Sequence, residues 1–202
     1  MIKRIAFIVP YVAVALGLFV FHSAWFALVG YHVGMVAFLY FGKADVDPRL
    51  FLPRNNILLI VGMIVFGLIG GIGLGIMWDR FGVSDQAGMI LSAWGLNSVS
   101  WIPFIVYFAL VNPWLEEIYW RGWLGDDQKH PVLNDFLFAG YHLMIVGLFV
   151  NIGWTLFAFF ALIVAAWAWR QIARMDRSLF APSLSHLAAD ASILIVAYLW
   201  VR

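Results

Sequence analysis

From Ile5 to Phe41 the chain runs for 37 residues without an Asp, Glu, Lys or Arg. A helix crosses the hydrocarbon core of a bilayer in about 20 apolar residues, so this run is too long for one span and tight for two. Two short helices, 5–21 and 24–41, turning at His22 and Ser23, fit it best. Of the 202 residues, 64% are hydrophobic and 11% are charged. Soluble domains stand near 45–50% and 25%. The expected fold is therefore all-α, a polytopic integral membrane helical bundle.

Further apolar runs at 57–78, 132–150, 152–169 and 179–201 each suit one span, and the region 88–124 holds one more at about 102–124. That makes seven transmembrane helices. Residues 84–97 read as an interfacial segment, and Asn112 with Pro113 predicts a kink or break, because proline lacks an N–H and clashes with the preceding turn. The basic, apolar N-terminus lacks a small-x-small cleavage site before the next apolar run and reads as a retained first span. Short cytoplasmic loops carry excess Lys and Arg. With seven crossings and a cytoplasmic N-terminus, Lys3, Arg4, Lys43, Arg49, Arg54, Lys129, Arg170, Arg174 and Arg177 share that side, nine of the twelve basic residues. Arg80 and Arg202 fall opposite, and Arg121 lies within the membrane. A single crossing over 5–41 would split Lys3 and Arg4 from Lys43, Arg49 and Arg54.

Residues 1–202 read as a single transmembrane domain, with no repeat and no linker. A net charge of +1 gives no basic face for nucleic acid. The absence of cysteine removes disulfides and thiolate nucleophiles. Gly67, Gly71 and Gly75 sit four residues apart inside an apolar span, which predicts close helix packing rather than a nucleotide loop.

Ionisable groups near the bilayer centre cost about 2.5–3.5 kcal/mol each, so Glu116, Glu117, Arg121 and Asp190 must be paired, wet or useful. Counted from the expected helix ends, Glu116, His142 and His186 lie about 10–15 Å from the same face at a 1.5 Å rise per residue. One carboxylate and two imidazoles thus share a layer. Glu117 and Arg121 are i,i+4 with the acid first, the favourable order for an ion pair. That leaves Glu116 without this partner and available as a general base. His186 and Asp190 repeat the i,i+4 spacing, so the aspartate can orient the ring. Phe138, one turn before His142, can pack on it. His22 and His32 read as structural, Asn134 and Asp135 as helix caps, and the tryptophans as interfacial anchors.

The segments "EEIYWR" (Glu116, Glu117, Arg121), "FAGYH" (Phe138, His142) and "HLAAD" (His186, Asp190) occur in this order. They resemble the EExxxR, FxxxH and HxxxN/D motifs of the CPBP family of intramembrane proteases, which includes the type II CAAX prenyl endopeptidases and the bacterial Abi proteins. The likeness covers 84–201. It implies an intramembrane endopeptidase that hydrolyses a peptide bond in a membrane-inserted or lipid-anchored protein with a glutamate-activated water. By position, Glu116 and His142 would activate the water, while His186 and Asp190 would stabilise the oxyanion. Glu117, Arg121 and Phe138 would support the site. Asp190 departs from members with asparagine there, since an ionised aspartate cannot donate to an oxyanion. Trp120 departs where phenylalanine or tyrosine is common.

The implied enzyme uses no metal or other cofactor. The alternative is zinc held by Glu116 or Glu117 with His142 and His186, a three-ligand set with an open fourth position. The rival class is a non-enzymatic immunity or scaffold protein of the Abi type. The expected location is a prokaryotic inner or plasma membrane, with the site opening toward the cytoplasm and a lipidated or membrane-embedded protein as partner.

Overall fold

The computed structural model describes residues 2–54 and 57–201, and all regular structure among them is helical. The long rods are α1 (Ile2–Val20), α2 (Ala24–Phe41), α3 (Ile57–Ile76), α4 (Trp101–Glu116), α5 (Leu133–Val146), α6 (Ile152–Asp176) and α7 (Phe180–Val201). Five of these, α1, α2, α3, α6 and α7, are long and apolar enough to cross a membrane. The chain is an integral membrane protein. The 37-residue run is indeed two helices. Their turn has His22 at φ 48° and Ser23 as N-cap, its hydroxyl accepting from the Phe26 N–H at 3.2 Å.

The other two expected spans fall short for physical reasons. α5 has 14 residues, about 21 Å of rise against a core about 30 Å thick. α4 has 16 residues, about 24 Å of rise, before the helix widens at Glu117. Of the kink or break expected at Pro113, the break does not occur. The helix runs through the proline, which is buried, and beyond Glu116 continues as a wider π-helical stretch, Glu117–Trp123. Such stretches occur mostly as local expansions, often at functional sites. Asn134 closes its end, donating to the carbonyls of Trp120 at 2.9 Å and Leu124 at 3.0 Å. Asn134 is therefore no cap for its own helix. Asp135 is, accepting from the Val132 N–H at 2.9 Å while also paired with Arg170 at 2.7 Å.

The connections gather at two ends. At one, Lys3 Nζ donates to the Trp123 carbonyl at 2.6 Å, the Leu179 N–H to Leu50 O at 2.6 Å, and Arg170 to the carbonyls of Asp126, Gln128 and His130. This is the end that holds the nine basic residues. At the other, the Trp154 indole donates to Arg80 O at 2.7 Å, Ser84 N–H to Phe149 O at 2.9 Å, and Trp78 stacks on Trp200. Here residues 84–97 form a short helix, Ala87–Ala93, and turns. Arg202 lies outside the described residues.

The glycines of α3 set where α7 sits. A Cβ at Gly67 would strike the Ser185 carbonyl, and one at Gly71 would strike Ser192. One at Gly75 would meet Val196 at 3.6 Å. The two backbones therefore approach closely beside His186, as small residues allow between membrane helices. Gly67→Ala is expected to lower thermal stability in detergent by about 1–3 kcal/mol through overpacking against backbone. Gly73→Ala, with open space around it, should be neutral or gain up to about 1 kcal/mol of helix propensity. Equal melting of the two variants would refute this packing role.

Candidate active site

Helix α4 and its π-helical extension deliver Glu116 and Glu117 to the interior, both at 0% exposure. Facing them from the first half of α7 is His186, 2% exposed. Its Nδ1 lies 3.0 Å from Glu117 Oε1 and its Nε2 lies 3.4 Å from Glu116 Oε2. The Asp190 carboxylate, one turn later on α7, stands 3.6 Å from the same Nε2. One imidazole thus touches three carboxylates. The ring is held flat by Trp169 of α6, stacked at 4.3 Å and 19°, whose indole N–H donates to Ser185 at 2.9 Å.

Glu117 also meets Arg121 at 3.2 Å, the i,i+4 pair that the spacing predicts. The guanidinium lies over two rings, with its carbon 4.2 Å from the Phe138 centroid and 5.2 Å from that of Trp169. Phe138 supports the site from both sides, because its ring also lies 4.8 Å from that of His142. A cation over an aromatic face replaces part of the hydration that burial removes.

Glu116 has a different environment. Its Oε1 accepts a short hydrogen bond from the Tyr141 hydroxyl, while Oε2 makes none. Behind Tyr141 stands Tyr31 of α2, with ring centroids 5.5 Å apart and its own hydroxyl accepting from the Trp120 indole at 2.9 Å. The departure at Trp120 therefore has a use: a phenylalanine would offer Tyr31 no donor. His142 stacks on Tyr141, with centroids 4.0 Å apart, and its Nδ1 lies 2.8 Å from the Phe138 carbonyl. A carbonyl only accepts, so Nδ1 carries the proton and Nε2 is left as an acceptor in the neutral ring.

The helices therefore bring Glu116, Glu117, Arg121, His186 and Asp190 into direct contact. His142 stands one residue aside: among the described residues no hydrogen bond joins it to Glu116. Tyr31, Tyr141, Asn112 and Trp169 were not legible as site residues. Three are aromatics in apolar helices, where the bland expectation is packing, and Asn112 reads only as a companion of Pro113. Among the described residues no three His, Asp or Glu side chains are grouped in the geometry that holds an ion; Nδ1 of His186 is turned toward Glu117, and its Nε2 toward Glu116 and Asp190.

All seven motif residues lie within 98–192, and that stretch matches the family model described as type II CAAX prenyl endopeptidase Rce1-like. Residues 98–192 match the CPBP family of CAAX proteases. No curated protein and no solved structure matches the chain. The CAAX-protease match starts just before α4 and ends inside α7, so it contains every element that supplies Glu116, Glu117, His142 and His186. It leaves out α1, α2 and α3, whose side chains and glycines nevertheless touch the site. The matched family is, by its description, one of prenyl endopeptidases, which are peptide hydrolases.

Proposed function

We propose that the protein is a glutamate-dependent intramembrane endopeptidase acting on a lipid-anchored or membrane-inserted protein. The observation that supports this best is the asymmetry of Glu116. One oxygen is held by Tyr141 and the other makes no hydrogen bond while facing His186. A buried carboxylate with one fixed and one free oxygen suits a general base. Water attacks the scissile carbonyl carbon and gives its proton to Glu116 Oε2. As the tetrahedral intermediate collapses, the C–N bond breaks and the proton passes to the leaving amine, with His142 Nε2 as the second proton carrier.

His186 and Asp190 serve the oxyanion. An imidazolium donates from both nitrogens. With Nδ1 directed at Glu117, Nε2–H turns to the developing negative charge, and Asp190 aligns it without donating itself. Glu116, Glu117 and Asp190 together outnumber the Arg121 and His186 cations. A shared proton balances the group in a medium where uncompensated charge is costly. The basic end of the bundle lies seven residues beyond Glu116, at Trp123, and we assign that end to the cytoplasm by the excess of Lys and Arg.

The test is purified protein in liposomes with a prenylated peptide ending in a CAAX sequence, its products read by mass spectrometry. Cleavage is expected, and a saturating chelator should leave the rate unchanged. Loss of cleavage that added zinc restores would replace the metal-free mechanism with the zinc alternative. Binding of the peptide without any hydrolysis would favour the scaffold reading.

A further inference from the structure

The site has a second buried hydrogen-bond chain that the motifs do not account for. Asn112, 2% exposed on α4, donates from Nδ2 to Asp190 Oδ2 at 3.0 Å. Its Oδ1 lies 3.1 Å from Nε2 of His32, a 4% exposed residue of α2. Nδ1 of His32 lies 3.0 Å from the Tyr107 hydroxyl. Directions follow from donor chemistry. A carboxylate accepts, so Asn112 turns its NH2 to Asp190 and its carbonyl to His32. His32 must then carry its proton on Nε2, and the bare Nδ1 accepts from Tyr107. Every donor in the chain points toward Asp190.

We propose that His32 is a positioning residue of the proteolytic site, fixing Asp190 through Asn112. The inference rests on the proposed hydrolytic function. Asp190 is the one carboxylate of the site on which neither Tyr141 nor Arg121 acts. Its two oxygens are divided between Asn112 and His186. Without His32, the Asn112 amide loses the acceptor-side anchor that decides which way it faces, and Asp190 loses its fixed donor. The N-terminal hairpin, outside the matched family stretch, is in this way part of the catalytic apparatus. Residue 32 sets the Asp190 side while its neighbour Tyr31 backs Tyr141 on the Glu116 side.

The experiment compares His32→Phe, His32→Gln and Asn112→Leu in liposomes, with kcat and KM measured separately on the prenylated peptide. His32→Phe keeps a ring but no donor and should lower kcat about tenfold to a hundredfold at unchanged KM, the size of one hydrogen bond to a charged group. His32→Gln offers an amide N–H at similar reach and should recover most of the rate. The double variant His32→Phe with Asn112→Leu should be no slower than the worse single one, because the two act in series. Wild-type kcat in His32→Phe, or an equal fall in His32→Gln, overturns the proposal. If His32→Phe does not fold, Tyr107→Phe takes its place, and an unchanged kcat there overturns it equally. Nitrogen-15 NMR of the His32 ring gives a readout independent of turnover: an Nε2-protonated neutral ring is expected, and an Nδ1-protonated one sinks the chain. Absence of cleavage by wild-type protein with the expected ring spectrum would reject the proteolytic function and leave the hydrogen-bond chain standing.

Discussion

Glu116→Gln is expected to lower kcat by about 10² to 10⁴, the usual contribution of a positioned general base, while leaving the protein folded. The substitution keeps the size and planarity of the side chain, and Tyr141 can still donate to the amide oxygen. What changes is the atom facing His186: a free carboxylate oxygen becomes an NH2 that cannot take a proton from water. Substrate recognition does not depend on that atom, so kcat and kcat/KM should fall together with KM constant, the signature of an interaction made only in the transition state. Thermal unfolding in detergent and peptide binding should match wild type. Turnover at the wild-type rate would mean that another group activates the water. Glu117 also has an unpartnered Oε2, but it is the less suitable candidate because its carboxylate is already paired with the Arg121 cation.

How much of this was legible in the residues follows from the range of the interactions. Pairs one helical turn apart are written in the spacing: Glu117 with Arg121, His186 with Asp190, and Phe138 under His142 all occur as i,i+4 neighbours. The hairpin over 5–41 was legible because charge must sort to one side of the membrane. The Gly67, Gly71, Gly75 stripe announced a close helix contact, though not that α7 and His186 would fill it. Contacts between distant segments left no such trace. The Tyr141 hydroxyl on Glu116, the Trp120 indole on Tyr31 and the His32 to Asn112 bond join residues 25, 89 and 80 positions apart. A tyrosine in an apolar helix has the same sequence signature whether its hydroxyl is used or not. The π-helical stretch after Glu116 was equally hidden, since proline chemistry alone argues for a kink or a break at Pro113 and says nothing of the turns beyond it. Packing against Asn134 and the rings around Arg121 holds the widened helix together instead.

Arg121→Met should destabilise the fold by about 3–5 kcal/mol, a large share of the about 5–15 kcal/mol that holds a typical domain together. Its side chain is 3% exposed and that of its partner Glu117 is 0%. Removing the guanidinium leaves a carboxylate in the apolar interior with only His186 beside it, and also empties the space over Phe138 and Trp169 that methionine fills in part. The cost comes mostly from the stranded charge, not from the value of the ion pair itself. Glu117→Gln combined with Arg121→Met should therefore recover much of the lost stability, since neither charge remains to be solvated. Activity should not return in the double variant, because Glu117 no longer holds the Nδ1 side of His186. Thermal unfolding in detergent, read beside peptide cleavage for the single and double variants, separates the two effects. A single variant as stable as wild type would show that water, not Arg121, compensates Glu117. A double variant no more stable than Arg121→Met would place the arginine's contribution in its packing over the rings.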